Sequence, residues 1–262
     1  MRFVAIGDSF TEGVGDPLPD GSLRGWADLV AAGLAAHRGG IDYANLAIRG
    51  RLITPIVADQ LEQALSLEPA PTLLSFNGGG NDMLRPSFGV AGVMSRAQTV
   101  VDRCTDSGVD LLILTGGDPT VRLPRGRTIK ARGDEFLEAV IDFAARHPHV
   151  TFVDNWSDQE MRRAPYWSAD RLHLGPLGHA RVAARVLTAL GVDTPLPTAD
   201  DAADTRPGAA AEARYWARYV LPWLARRAVR RSSGHGRNAK YGTWESIPAD
   251  AGTGVPGGDT FR

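Results

Sequence analysis

Residues 2–13 read RFVAIGDSFTEG. Phe3 to Ile6 form a short unbroken apolar run that stops at Gly7, the pattern of a buried strand ending in a turn. A serine placed just after such a strand can expose its hydroxyl at the edge of a sheet. On its own the tripeptide Gly7-Asp8-Ser9 decides nothing about chemistry, because Asp and Ser are common turn and helix-cap residues.

Outward from this strand the pattern repeats. Trp26 to His37 carries apolar residues at helical spacing, and Ile41 to Ile48 alternates like a strand. Ile53 to Leu67 is helix-like and is closed off by Pro69 and Pro71. Thr72 to Phe76 is a third strand, followed by Gly78, Gly79 and Gly80. Val90 to Ser107 is helical, and Leu111 to Thr115 is a fourth strand broken by Gly116, Gly117 and Pro119. A helix starting near Thr128 runs on through Phe136 to Arg146, Val150 to Val153 is the fifth strand, and Leu177 to Leu190 is a last strong helix. Strands alternating with helices of this length imply a five-stranded parallel sheet covered on both faces, a three-layer α/β/α domain. Ligands in such sheets collect at the carboxyl ends of the strands. The loops after the first three strands carry Ser9, Gly50 and Asn81.

This domain is expected to span residues 1–192. Residues 193–208, with the sequence TPLPTADDAADTRPG from 194 onward, read as a linker. Residues 209–231 resume a helical, amphipathic pattern, with Pro222 suited to the first turn of a second helix. From 232 to 262 the chain is rich in Gly, Ser and Pro and is expected to be disordered or extended.

Composition narrows the function. Of the 262 residues, 43% are apolar and 23% charged, and the net charge of -1 marks no nucleic-acid binder. One cysteine, Cys104, allows no internal disulfide. The chain shows neither a signal-peptide pattern nor an apolar stretch long enough to span a bilayer, so the expected location is cytoplasmic.

The decisive second block is Asp170-Arg171-Leu172-His173-Leu174-Gly175-Pro176, directly before the last helix. A hydroxyl is a poor nucleophile until a base takes its proton. An imidazole does this near neutral pH, and a carboxylate fixes its tautomer and steadies the imidazolium. Asp170 and His173, three residues apart in a loop, can converge on one site. His37, His147, His149, His179 and His235 have no carboxylate at comparable spacing beside a strand end, and His179 lies inside the helical run. Acyl transfer also needs N–H donors for the charge that develops on the carbonyl oxygen. Gly50 can offer a backbone N–H with no side chain in the way, and Asn81 can offer a carboxamide. Asp8 and Asp82 read as turn or cap residues. No spacing suggests a metal site, and Gly78 to Gly80 lack the Gly-Lys-Ser/Thr of a phosphate loop.

Four ordered blocks, Ser9 in GDSFTEG, Gly50 after NLAIR, Asn81 in GGND and His173 in DRLH, resemble those of the SGNH (GDSL-type) hydrolase family. The resemblance spans residues from about 3 to 190. It implies a flavodoxin-like sheet and a serine esterase acting on a carboxylic ester or thioester through an acyl-serine. Ser9 would be the nucleophile, His173 the base and then the acid, and Asp170 the orienting carboxylate. The Ser9 N–H, Gly50 N–H and Asn81 side chain would form the oxyanion hole, with no metal or organic cofactor. Family members often have proline after the histidine, where this chain has Leu174. The change removes no reactive group.

Substrate contacts are less specific. Arg122, Arg125 and Arg127 sit in a loop after the fourth strand and could steer an anionic substrate, although a solvated loop is the favoured reading. Tyr166 and Trp167 could wall an acyl pocket or pack the loop onto the core. The stretch RYWARYVLPWLARRAVRR, residues 214–231, mixes aromatics with arginines. Such a segment can dock on its own domain, the favoured reading, or make peripheral contact with an anionic membrane. The expected partner is a small-molecule ester, with no nucleic acid. The same residues would also serve an acyltransferase, and a non-catalytic binding protein on this fold would be expected to have lost one of the four reactive side chains.

Overall fold

A computed structural model of the chain describes residues 1–124, 126–200, 208–222 and 233–251. Strands β1 (Arg2–Ile6), β2 (Ile41–Asn45), β3 (Leu73–Phe76), β4 (Asp110–Leu114) and β5 (Thr151–Val153) alternate with helices. These are α1 (Ser9–Glu12), α2 (Trp26–Arg38), α3 (Ile53–Pro55), α4 (Leu61–Leu65), α5 (Gly80–Met83), α6 (Val90–Asp106), α7 (Gly126–Ala145) and α8 (Pro176–Ala189). Between α3 and α4 the backbone runs as a π-helical segment, Ile56–Gln60. The helix expected over Ile53 to Leu67 is therefore one rod with a widened turn in its middle.

The strand order is β5-β4-β3-β1-β2-β6, where β6 is Tyr241–Ile247, and β1 to β5 pair in parallel. The pleat sends successive β1 side chains to opposite layers. Phe3 and Ala5 join a core with α2 and α8, while Val4 and Ile6 join one with α4 and α6. Both faces are buried, which is why β1 reads as a continuous apolar run rather than an alternating one. The chain leaves β1 for β2 on one side and returns to β3 on the other. Their carboxyl ends therefore diverge around a crevice, the place where this topology binds ligands.

One expectation is corrected. The sheet has a sixth strand, β6 (Tyr241–Ile247), antiparallel to β2 at the edge, so it is mixed rather than all parallel. The tail expected to be disordered or extended thus contains a paired strand. It is tied down further by Trp244 Nε1, which donates to the Pro69 carbonyl, and by Lys240, whose ammonium lies 2.7 Å from Asp28. Helix α9 (Ala209–Tyr215) opens the expected C-terminal helical segment and passes into a second π-helical stretch, Trp216–Val220. The arginine-rich end, residues 223–231, lies outside the described residues. No helix among the described residues is long and apolar enough to cross a membrane.

Candidate active site

Ser9 is the first residue of α1, immediately beyond β1. The chain turns sharply here because residue 7 is glycine. A Cβ at Gly7 would sit 2.6 Å from Thr11 Oγ1 and 3.0 Å from the Asn77 carbonyl. Gln60, the last residue of the π-helical segment, brackets Gly7. Its Nε2 donates to the Gly7 carbonyl at 3.0 Å, and its Oε1 accepts from the Gly7 N–H at 2.8 Å. Asp8 caps α1 by accepting from the Phe10 N–H at 3.1 Å.

The segment carrying Asp170 and His173 is a tight hairpin. Trp167 and Leu174 pair as an antiparallel bridge, and the Ser168 N–H donates to the His173 carbonyl at 2.9 Å. Asp170 Oδ1 accepts from the Leu172 N–H (3.0 Å), the His173 N–H (2.9 Å) and the Ser168 hydroxyl (2.7 Å). Its Oδ2 lies 2.6 Å from His173 Nδ1, and His173 Nε2 lies 3.0 Å from Ser9 Oγ. With Nδ1 bearing the proton toward the carboxylate, Nε2 is left as the acceptor facing the serine hydroxyl. Burial alone would raise the Asp170 carboxyl. The hydrogen bond and charge of His173, with the two backbone amides, outweigh it and hold the group well below the usual carboxylate range. The carboxylate therefore stays ionised as the partner of the imidazole.

The two segments meet at Gly15, where a Cβ would lie 1.9 Å from the Leu174 carbonyl oxygen and 3.2 Å from His173 Cβ. The absence of a side chain there lets His173 come within reach of Ser9.

Asn81 enters from α5, after the turn at Gly79 (φ +94°). Its Nδ2 donates to Asp8 Oδ2 at 2.8 Å and to the Arg51 carbonyl at 3.0 Å. Both amide hydrogens are thereby engaged, and these two acceptors fix which way the amide points. Burial pushes the Asp8 carboxyl up to about 6 against the opposing effects of the Phe10 amide and His173. Gly50 sits half-buried in the turn after β2 with φ +73°. That turn is anchored by Glu12 of α1, which accepts from the Arg49 N–H at 2.6 Å and pairs with its guanidinium. Asp82 accepts from the Ile53 N–H at 2.9 Å, a turn role as expected.

Ser9, Asn81 and His173 open into a cavity of about 160 Å³. Its walls are mostly apolar and include Phe76, Ile113, Phe136, Leu137, Val140 and Trp156. Trp167 also lines it, with its indole N–H donating to the Met161 carbonyl at 2.6 Å. Tyr166 does not. It is fully buried elsewhere, its hydroxyl donating to Glu160 at 2.9 Å and accepting from the Ala199 N–H at 2.8 Å. Arg122 and Arg127 are not part of the cavity wall either, and Arg125 lies outside the described residues. His179 is fully buried. Its Nδ1 accepts from the Trp26 N–H at 3.2 Å and its Nε2 faces the Val14 carbonyl, which ties α8 to the α1 region. Cys104 is buried among apolar side chains, which push its thiol up to about 12, so it is no nucleophile. Sequence reasoning missed Gln60, Glu12 and Gly15. Each acts through a partner far along the chain, and no local pattern signals that.

The mixed sheet, the crevice beside β1 and the Ser9–His173–Asp170 line define a three-layer α/β/α protein with a serine hydroxyl beside an imidazole at the end of β1. The chain matches the model of the GDSL-like lipase/acylhydrolase family over residues 5–181 and belongs to that family. It is a serine hydrolase acting on ester bonds. No protein of curated function matches it by sequence. Among solved structures it is similar to TesA, with 23% identity and a TM-score of 0.58 over 72% of this chain and 98% of that one. It is similar also to LAE5, a hydrolase from the metagenome of Lake Arreo, with 21% identity and a TM-score of 0.57 over 73% and 95%. The esterase EstA from Pseudoalteromonas sp. shares 15% identity with a TM-score of 0.53 over 72% and 96%. At these identities the likeness is one of fold.

Proposed function

We propose that this protein hydrolyses a carboxylic ester or thioester with a short to medium apolar acyl group, through an acyl-Ser9 intermediate. His173 Nε2 takes the Ser9 proton as Oγ attacks the acyl carbon. The tetrahedral intermediate collapses with loss of the alcohol or thiol, which leaves with the proton now on His173. Water then attacks the acyl carbon as it gives a proton to His173, the bond to Ser9 Oγ breaks to release the acid, and His173 returns the proton to Oγ. Asp170 keeps the imidazole in the productive tautomer and steadies its positive charge. The oxyanion is held by the Ser9 and Gly50 N–H groups and by Asn81, which exchanges one of its present acceptors, Asp8 or the Arg51 carbonyl, for the substrate oxygen. Each such donor contributes about 3 kcal/mol to the transition state.

The observation that carries this reading is the 3.0 Å and 2.6 Å line from Ser9 through His173 to Asp170 at the mouth of the apolar cavity. A cavity of about 160 Å³ matches, in order of magnitude, one that admits a benzene ring. An acyl group of roughly six carbons is therefore the expected fit. Hydrolysis of p-nitrophenyl esters from acetate to palmitate, by wild type and Ser9→Ala, tests it. Expected are an optimum between butyrate and octanoate and a loss of about 1,000-fold or more in the variant. Activity unchanged in Ser9→Ala would remove the serine from the mechanism. An optimum at palmitate would mean that the acyl chain lies elsewhere.

A further inference from the structure

Arg171, between Asp170 and His173, is the only non-glycine residue with positive φ among the described residues, at +60°. L-residues enter this left-handed region only when their surroundings hold them there. The conformation matters here because it turns the next two N–H groups, those of Leu172 and His173, back onto Asp170 Oδ1. That grip leaves Oδ2 aimed at His173 Nδ1.

The Arg171 N–H donates to the Ser168 carbonyl within the hairpin, and what holds its side chain comes from beyond α8. Its Nη1 and Nη2 donate to Glu212 Oε1 and Oε2 at 3.2 and 2.8 Å, a two-pronged pair with a carboxylate of α9. Its guanidinium carbon lies 3.9 Å from the ring centre of Tyr215, one turn further along the same helix, and Tyr215 is buried. The cation is thus gripped from two sides by one helical turn, with charge from Glu212 and a ring face from Tyr215. Helix α9 lies beyond the 5–181 segment matched by the family model.

We infer that α9 is a positioning element of the active site, in which Glu212 and Tyr215 hold Arg171 in its left-handed turn and thereby keep Asp170 aligned on His173. The inference rests on the serine-hydrolase reading above. The appendage acts on the rate of the chemical step and leaves substrate binding in the apolar cavity unchanged, because neither Glu212 nor Tyr215 lines that cavity.

The full-length chain serves for the test, with active sites counted by titration with a p-nitrophenyl phosphonate ester so that only folded enzyme contributes to kcat. Glu212→Gln, Tyr215→Leu and Arg171→Ala are each expected to lower kcat about tenfold with KM changed less than twofold. Arg171→Gly is expected to lie closer to wild type than Arg171→Ala, since glycine adopts the left-handed turn without a clamp. In the Arg171→Gly background, adding Glu212→Gln is expected to change nothing further. Wild-type kcat in both Glu212→Gln and Arg171→Ala would overturn the inference. So would Arg171→Gly falling as far as Arg171→Ala, or Glu212→Gln costing the same in both backgrounds. These outcomes with an inactive Ser9→Ala would sink the clamp alone, whereas an active Ser9→Ala would sink the mechanism beneath it.

Discussion

The two segments that meet at the active site are built on opposite principles. Residues 7–15, which carry Ser9, are held by close packing. Gly7 and Gly15 leave no room for a Cβ, Thr11 is buried, and Gln60 closes both hydrogen-bonding groups of Gly7. Residues 168–175, which carry Asp170 and His173, have few buried side chains. They are held by polar contacts, with one carboxylate oxygen accepting three bonds and a left-handed arginine pinned by another helix. In the proposed mechanism the nucleophile needs a fixed position, which packing supplies, and the base must change its charge during turnover, which polar contacts can follow. The serine side should therefore respond to volume and the histidine side to charge.

Among substitutions that spare the nucleophile itself, the largest expected effect is on the histidine side. Asp170→Asn keeps the shape of the hairpin but loses the charge and favours the wrong imidazole tautomer. Its kcat should fall by about 10,000-fold with little change in melting temperature, measured on the same ester. A fall of less than tenfold would show that the carboxylate does not govern the base.

On the packing side, Gly15→Ala changes no charge. Its methyl group would collide with the Leu174 carbonyl and drive the hairpin away from Ser9. A displacement of about 1 Å costs about 100-fold in kcat. A smaller loss, under threefold, would mean that the two segments adjust to one another and that the contrast between them is overdrawn.

The smallest effect is on stability against pH, and it comes from the buried histidine behind the serine segment. Burial lowers His179 from 6.5 to about 3 in the folded protein. Its Nδ1 must remain an acceptor for the Trp26 N–H, which protonation would forbid. The unfolded chain takes up this proton below pH 6.5 and the folded chain does not, so stability falls as the pH drops from 6.5 toward 3. Asp8 acts in the opposite sense. Its folded value near 6 lies above its ordinary one, so its contribution is present below pH 4 and is lost as the pH rises through 6. Between about pH 6 and 4 the two nearly offset one another, so the melting temperature should change little across that range, while His179→Asn, which removes the histidine's part, should gain stability as the pH falls through it. A variant whose melting temperature stays as flat as that of the wild type would show that His179 does not contribute.

What could be read in the sequence follows the same division. The parallel strands were legible because double-sided burial leaves an apolar run with glycine at its end, as in Phe3 to Ile6. Ser9, Asn81 and the Asp170–His173 pair were legible because strand ends and short loops place them. The edge strand β6 was not, because Tyr241–Ile247 is half exposed, follows a polar stretch, and owes its pairing to β2, about 200 residues earlier. Nor did sequence distinguish Tyr166 from Trp167. They are neighbours of similar chemistry, and only the hairpin backbone sends one into the core and the other to the cavity. The engagement of Asn81 with Asp8, and of Arg171 with Glu212, joins residues too far apart in the chain for any local pattern to announce.

The central claim is the covalent role of Ser9. Full-length protein treated with a p-nitrophenyl phosphonate ester, digested and analysed by mass spectrometry, tests it most directly. The account predicts one adduct per chain on the peptide containing Ser9, formed in step with loss of esterase activity and absent from Ser9→Ala. Complete inactivation with the adduct on any other residue, or full activity in a chain whose Ser9 is quantitatively modified, would contradict it.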